Sequence, residues 1–174
     1  MSGRDDEWPE TQRGGSGDTT DEQHRLKNDR QGLREAAMRL LARREHSRLE
    51  LSRKLHVKDW PQSLADEVVD ELAAAGLQSD QRFAESFVRQ RVGRHYGPRR
   101  IRAELEQRGV DSSQAAAAIE NPEIDYFEIA AEYYRKKYGI ADSALSYAER
   151  ARRSQALYRR GFDSDHLREL FRGD

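Results

Sequence analysis

Apolar residues recur every three or four positions from Leu33 to Phe171, the spacing of helices that each bury one stripe. Period-two alternation and Asn-Gly or Asp-Gly hairpin turns are missing, so strands are not expected. Leu33, Ala37, Leu40 and Leu41 share one face of a first helix. Leu51 and Leu55 mark a second, with Ser47 at its N-cap and Glu50 three residues on, as in a capping box. Pro61 opens a third helix, with Leu64, Val68 and Leu72 inward and Gly76 just past its end. Ser79 or Asp80 caps a fourth, whose inward residues are Phe83, Phe87 and Val88 or Val92. A fifth runs from Pro98 to Gly109 on Ile101 and Leu105, and a short Ala-rich sixth stops at Asn121-Pro122. The seventh, "DYFEIAAEYYRKKYG", places Phe127, Ala130, Ala131 and Tyr134 inward. The eighth, "SYAERARRSQALYRRG", turns Tyr147, Ala151 and Leu157 inward and ends at Gly161; "DSDHLRELF" is the last.

These roughly nine helices group in threes. Leu51 and Leu55 align with Ile101 and Leu105, and "LEQRGVDSS" (from Leu105) recurs as "LYRRGFDSD" (from Leu157). Self-similarity at a period near 50 predicts stacked units, each too small to bury its apolar faces alone. The expected fold is all-α: about three tandem three-helix units, over residues 29–77, 78–122 and 123–174. Residues 1–28 are rich in Gly, Ser, Thr and Asp, Trp8 has no periodic apolar partner, and a disordered acidic tail is expected there.

Composition sharpens this picture. Hydrophobic and charged residues each make up 36% of the chain, a thin core under a charged surface. Without cysteine there is no disulfide or thiolate chemistry. No apolar run approaches the ~20 residues of a membrane span, and no basic-then-apolar leader opens the chain. A cytoplasmic protein without membrane association is expected.

The net charge of −1 hides segregation. Asp59 to Asp80 holds six acids (Asp59, Asp66, Glu67, Asp70, Glu71, Asp80) and no Lys or Arg. Arg89 to Val110 holds seven arginines against Glu104 and Glu106, and Arg135 to Arg160 eight basic residues against Asp142 and Glu149. With Ile101 and Leu105 inward, Arg99 points outward and Arg100 and Arg102 flank it. Arginine outnumbers lysine in both stretches, which favours bidentate contacts to phosphate or carboxylate. The plainer alternative is a solvated face whose arginine stems cover apolar surface, with i,i+4 pairs such as Glu50–Lys54 and Arg100–Glu104.

Catalytic patterns are missing. The five histidines are scattered, with no His-Glu-x-x-His, no phosphate loop and no nucleophile elbow. Neither an enzyme nor a cofactor is expected.

Two stretches are specific enough to identify. One carries Leu40, Arg43, His46, Ser47, Glu50, Leu51, Lys54 and Leu55; the other is "DQRFAESFVRQRVGRHYGPRRIRAEL", from Asp80 to Leu105. With "YRRGFDSD" they resemble the RecX family of bacterial regulatory proteins, which modulate the RecA recombinase. The resemblance runs from about Leu33 to Phe171. It implies an elongated, curved array of three-helix units that binds in the groove of the RecA–DNA filament. There it blocks filament extension and damps ATPase, strand-exchange and co-protease activities. It also implies direct binding of single- and double-stranded DNA through basic surface. On this reading Arg89, Arg91, Arg94, Arg99, Arg100 and Arg102 meet phosphates or acidic recombinase surface. Lys136, Lys137, Arg152, Arg153, Arg159 and Arg160 form a second contact region. The acidic stretch faces solvent or a basic patch on the recombinase, and the protein acts as a monomer. The rival is a stand-alone helix-turn-helix regulator, with "SRLELSRKL" or "PRRIRAELEQRG" as recognition helix. A scaffold that binds only protein is the third class.

Overall fold

A computed structural model describes residues 17–56, 60–139 and 145–172, all helices and turns. In chain order the helices are α1 (Gly17–Leu41), α2 (Arg48–His56), α3 (Gln62–Ala74), α4 (Asp80–Val92), α5 (Pro98–Glu106), α6 (Ser112–Ile119), α7 (Tyr126–Tyr138), α8 (Tyr147–Arg160) and α9 (Ser164–Leu170). They pack in threes. Helices α1, α2 and α3 lie on one another, as do α4, α5 and α6; α7 packs on α9, and α8 joins them through Leu157.

The apolar interior is divided in the same way. Leu33, Leu51, Leu55, Val68 and Leu72 belong to one cluster. Phe83, Phe87, Ile101, Leu105, Val110 and Ile119 form a second. Ala130, Tyr134, Leu157, Phe162 and Leu167 form the third. None of the three shares a buried residue with another. Clusters this small depend on their neighbours, as in stacked-repeat proteins.

The recurring Leu-x-x-Arg-Gly-apolar-Asp-Ser stretch has one physical job, done twice. Gly109 and Gly161 take left-handed backbone, φ +76° and +96°. The next residue, Val110 or Phe162, donates its N–H back to the Leu105 or Leu157 carbonyl, each at 3.2 Å, and buries its side chain. Asp111 and Asp163 then cap α6 and α9. One helix is thus stopped and the next started within a few residues.

Three expectations need correction. The tail foreseen over 1–28 is helical from Gly17; residues 1–16, Trp8 among them, lie outside the described residues. Between Glu22 and Leu33 the chain has good helix formers and no proline. Extending an anchored helix adds one hydrogen bond for each residue fixed. Phe127 does not enter the core: it is 48% exposed and stacks on the His166 ring at 4.6 Å, while α7 turns Ala130 and Tyr134 inward. Tyr147 is 90% exposed and Ala151 is exposed as well, because α8 buries only Ala156 and Leu157 near its C-terminal end. No described helix is long and apolar enough to cross a membrane.

Candidate nucleic-acid interface

The twelve predicted contact residues include three structural classes. Arg91 and Arg153 are held inside. Arg91 Nε donates to Glu104 Oε2 at 2.6 Å, with both side chains less than one-fifth exposed, and its guanidinium lies over the Phe87 ring at 4.5 Å. Arg153 donates to Glu149 and to the Tyr134 hydroxyl, each at 2.8 Å. These two arginines fasten helices together. Arg100, Arg102 and Arg152 are half-engaged and exposed: Arg100 with Glu104 at 3.0 Å, Arg102 with Glu120 at 3.6 Å, Arg152 with Glu149 at 3.0 Å. The side chains of Arg89, Arg94, Arg99, Lys136 and Arg159 are exposed and have no ion-pair partner among the described residues. Lys137 and Arg160 complete the set and stand at the cleft described below. Glu104, held between Arg91 and Arg100, illustrates the competition. Burial raises its pKa, but hydrogen bonds and charge from the two arginines outweigh that and leave it lowered.

Two basic stretches, separate along the chain, become one surface at the junction of the second and third units. The Gly97 N–H donates to the Arg160 carbonyl at 2.8 Å, and the Arg99 N–H to the Gly161 carbonyl at 3.1 Å. The first amides of α5 therefore bind the last carbonyls of α8, joining the positive end of one helix to the negative end of another. This closeness needs glycine. A Cβ on Gly97 would stand 2.4 Å from the Gly161 backbone, and one on Gly161 2.4 Å from Arg100 Cβ.

Beside that joint lies a cleft of about 340 Å³ lined by Tyr96, Arg100, Tyr133, Lys137, Arg159 and Arg160, with Ala156 at its base. Arg160 lies over both tyrosine rings, 4.8 Å from Tyr96 and 4.6 Å from Tyr133, and Arg100 lies over Tyr96 at 4.4 Å. Arg160 Nη1 also donates to the Arg94 carbonyl at 2.8 Å, and Lys137 Nζ to the Tyr133 hydroxyl at 3.1 Å. Burial raises the Tyr133 pKa, yet hydrogen bonds and charge from Lys137 and Arg160 lower it overall. Sequence pattern alone gives Tyr96 and Tyr133 no role. Their only advance signal is that Tyr96 lies within one basic stretch and Tyr133 borders the other.

The α3 acids of the acidic stretch face solvent, and several take partners within the first unit. Glu67 and Glu71 pair with Arg30, Asp70 pairs with Arg48, and Asp66 accepts from Ser52 and Gln62. The stretch serves the first unit's own surface. Glu50 likewise takes Arg44, His46 and Arg108 as partners instead of the expected Lys54.

The helix-turn-helix reading meets a steric objection. A recognition helix presents its N-terminal residues to base edges. Here the N-terminus of α2 is covered: Ser47 Oγ donates to the Arg108 carbonyl at 2.7 Å. The backbone at the N-terminus of α5 is seated on Gly161, with the Arg99 and Arg100 side chains left exposed. No group of three or more His, Asp or Glu among the described residues is arranged to hold a metal.

Models of the RecX family match the chain in three places: the first three-helix domain over residues 34–72, the second over 79–119 and the third over 123–171. Regulatory protein RecX of Ectopseudomonas mendocina is 43% identical over 143 residues, covering 81% of this chain and 93% of that relative. The Stenotrophomonas maltophilia protein of the same name is 43% identical over 138 residues, 79% of this chain and 84% of the relative. The crystal structure of RecX from Lactobacillus salivarius superposes with a TM-score of 0.69 at 25% identity, covering 84% of this chain and 96% of that one.

Proposed function

Because this chain belongs to the RecX family of regulatory proteins, a family of RecA regulators, we propose that it binds the RecA–DNA filament and inhibits the recombinase. It acts as a cytoplasmic monomer and also grips single- and double-stranded DNA directly. The observation that carries this reading is the convergence of cations from α5, α7 and α8 on one junction, flanked by the exposed Arg94 and Arg99. A stacked array presents such a surface over a length that touches neighbouring recombinase subunits. Two-point attachment then favours filament over free subunit through effective concentration. Guanidinium forks suit phosphate oxygens and the carboxylates of an acidic protein surface alike. Arg91 and Arg153 contribute through the packing of their helices, while Arg89, Arg94, Arg99, Arg100, Arg102, Lys136, Lys137, Arg152, Arg159 and Arg160 make the contacts.

A charge-reversal set, Arg99→Glu, Arg100→Glu and Arg102→Glu, tests the assignment in recombinase ATPase and strand-exchange assays. Inhibition is expected to be lost with helical circular dichroism unchanged. Full inhibition by the folded triple variant contradicts it.

A further inference from the structure

The repeat shows the same junction twice, with different charge. At each one, the left-handed glycine that ends the middle helix of a later unit sits on the first turn of the middle helix before it. Gly109 meets Leu49, and Gly161 meets Arg100. The preceding carbonyl accepts a hydrogen bond from the N-cap residue below: Arg108 from Ser47 Oγ, Arg160 from the Gly97 N–H. The arginine side chain before each glycine lies over an aromatic ring, Arg108 over Phe87 and Arg160 over Tyr133, each at 4.6 Å. Beside the first junction lies a cleft of about 350 Å³, matching the 340 Å³ of the second.

Charge separates them. In the first cleft Arg108 pairs with Glu50 at 3.3 Å and Arg44 with the same carboxylate at 3.1 Å, while Arg91 is neutralised by Glu104. In the second, the position of Glu50 is taken by Arg100 and that of Glu104 by Ala156. The second cleft is lined by Arg100, Lys137, Arg159 and Arg160 and by no carboxylate. Glu104, reaching Arg100 from outside, supplies one counter-charge.

We propose that this second cleft is an oxyanion site that holds backbone phosphate of a nucleic acid. Arg100, Lys137, Arg159 and Arg160 make the contacts, and Tyr96 and Tyr133 act as positioning residues beneath the guanidiniums. The rings face cations on the cleft side, so they offer no free platform on which a base stacks, as single-strand binders otherwise provide. What remains open to a ligand is the N–H edges of the guanidiniums and an ammonium, which match phosphate oxygens. Exposed Arg94 and Arg99 border the joint and extend the positive surface beyond one charge, which suits a polyanion over a single acidic side chain. The site deepens the proposed function and rests on its DNA-binding part.

The test uses the full chain and a labelled oligothymidylate, titrated at several salt concentrations. Arg100→Glu places at the second junction the charge that Glu50 supplies at the first, and helical circular dichroism checks that the fold survives the like-charged neighbour Glu104. Arg159→Gln removes an exposed charge without disturbing an internal pair. Arg39→Glu, on α1, controls for net charge. Affinity is expected to fall about tenfold or more for Arg100→Glu, with the salt slope reduced by about 0.7 for each phosphate that the variant no longer neutralises. Arg159→Gln weakens binding in the same direction, and Arg39→Glu stays within about twofold of wild type. Equal losses in all three variants overturn the cleft and leave diffuse basic-surface binding standing. Loss of filament binding with oligonucleotide affinity intact assigns the cleft to an acidic protein surface and overturns the phosphate. A wild-type chain that binds no oligonucleotide overturns both the cleft and the DNA-binding part of the proposed function.

Discussion

Single residues govern the junctions. Gly97 is buried against Gly161 backbone, so Gly97→Ala forces α5 and α8 apart and breaks the two hydrogen bonds between them. Hydrogen exchange at the Gly97 and Arg99 amides is expected to accelerate at least tenfold while α1 to α3 stay protected; unchanged protection would show that the joint is dispensable. His46 is a second such residue, only 2% exposed. Burial lowers its pKa most, Arg44 and Lys54 lower it further, and Glu50 opposes them in part. The unfolded chain therefore binds a proton that the folded one resists. Stability is complete above the ordinary histidine pKa of about 6.5 and falls as pH drops below it. Denaturant unfolding at pH 5.5 and 7.5 is expected to show this loss in wild type, and a smaller one in His46→Gln. The sequence displays His46 and Gly97 plainly, but their roles depend on partners that only the fold brings near.

Individual helices were the most legible level. Their spacing, capping residues and stop glycines are local, and Ser79 and Gly161 act as their positions predict, while Asp111 and Asp163 add caps that the structure reveals. Asp163 accepts from the Asp165 and His166 N–H groups. Asp163→Ala is expected to cost about 1 kcal/mol, measured by equilibrium unfolding, and a neutral effect would argue against the cap. Legibility failed where helix rotation is set by tertiary neighbours. Phe127 and Tyr147 match the apolar period, yet Tyr134 and Leu157 set which face turns inward. The acids of α3 looked unpartnered because Arg30 and Arg48 reach them from other helices; such exposed pairs contribute little to stability.

At the scale of the whole molecule, the period near 50 was readable because both Arg-Gly-apolar-Asp-Ser copies stop one helix and start another. The cleft was not, since Arg100 and Arg160 lie far apart in sequence and meet only when one unit seats on the next. Its charge follows from two replacements between copies, Glu50 to Arg100 and Glu104 to Ala156. A stacked array with a cationic junction is proposed to recognise the assembled recombinase filament. Co-sedimentation of the purified protein with RecA, assembled on single-stranded DNA or left free, measures this most directly. The protein is expected to pellet with filaments, stay in solution with free RecA, and be released as salt rises. Equal association with free RecA, or filament binding indifferent to salt, would contradict that recognition.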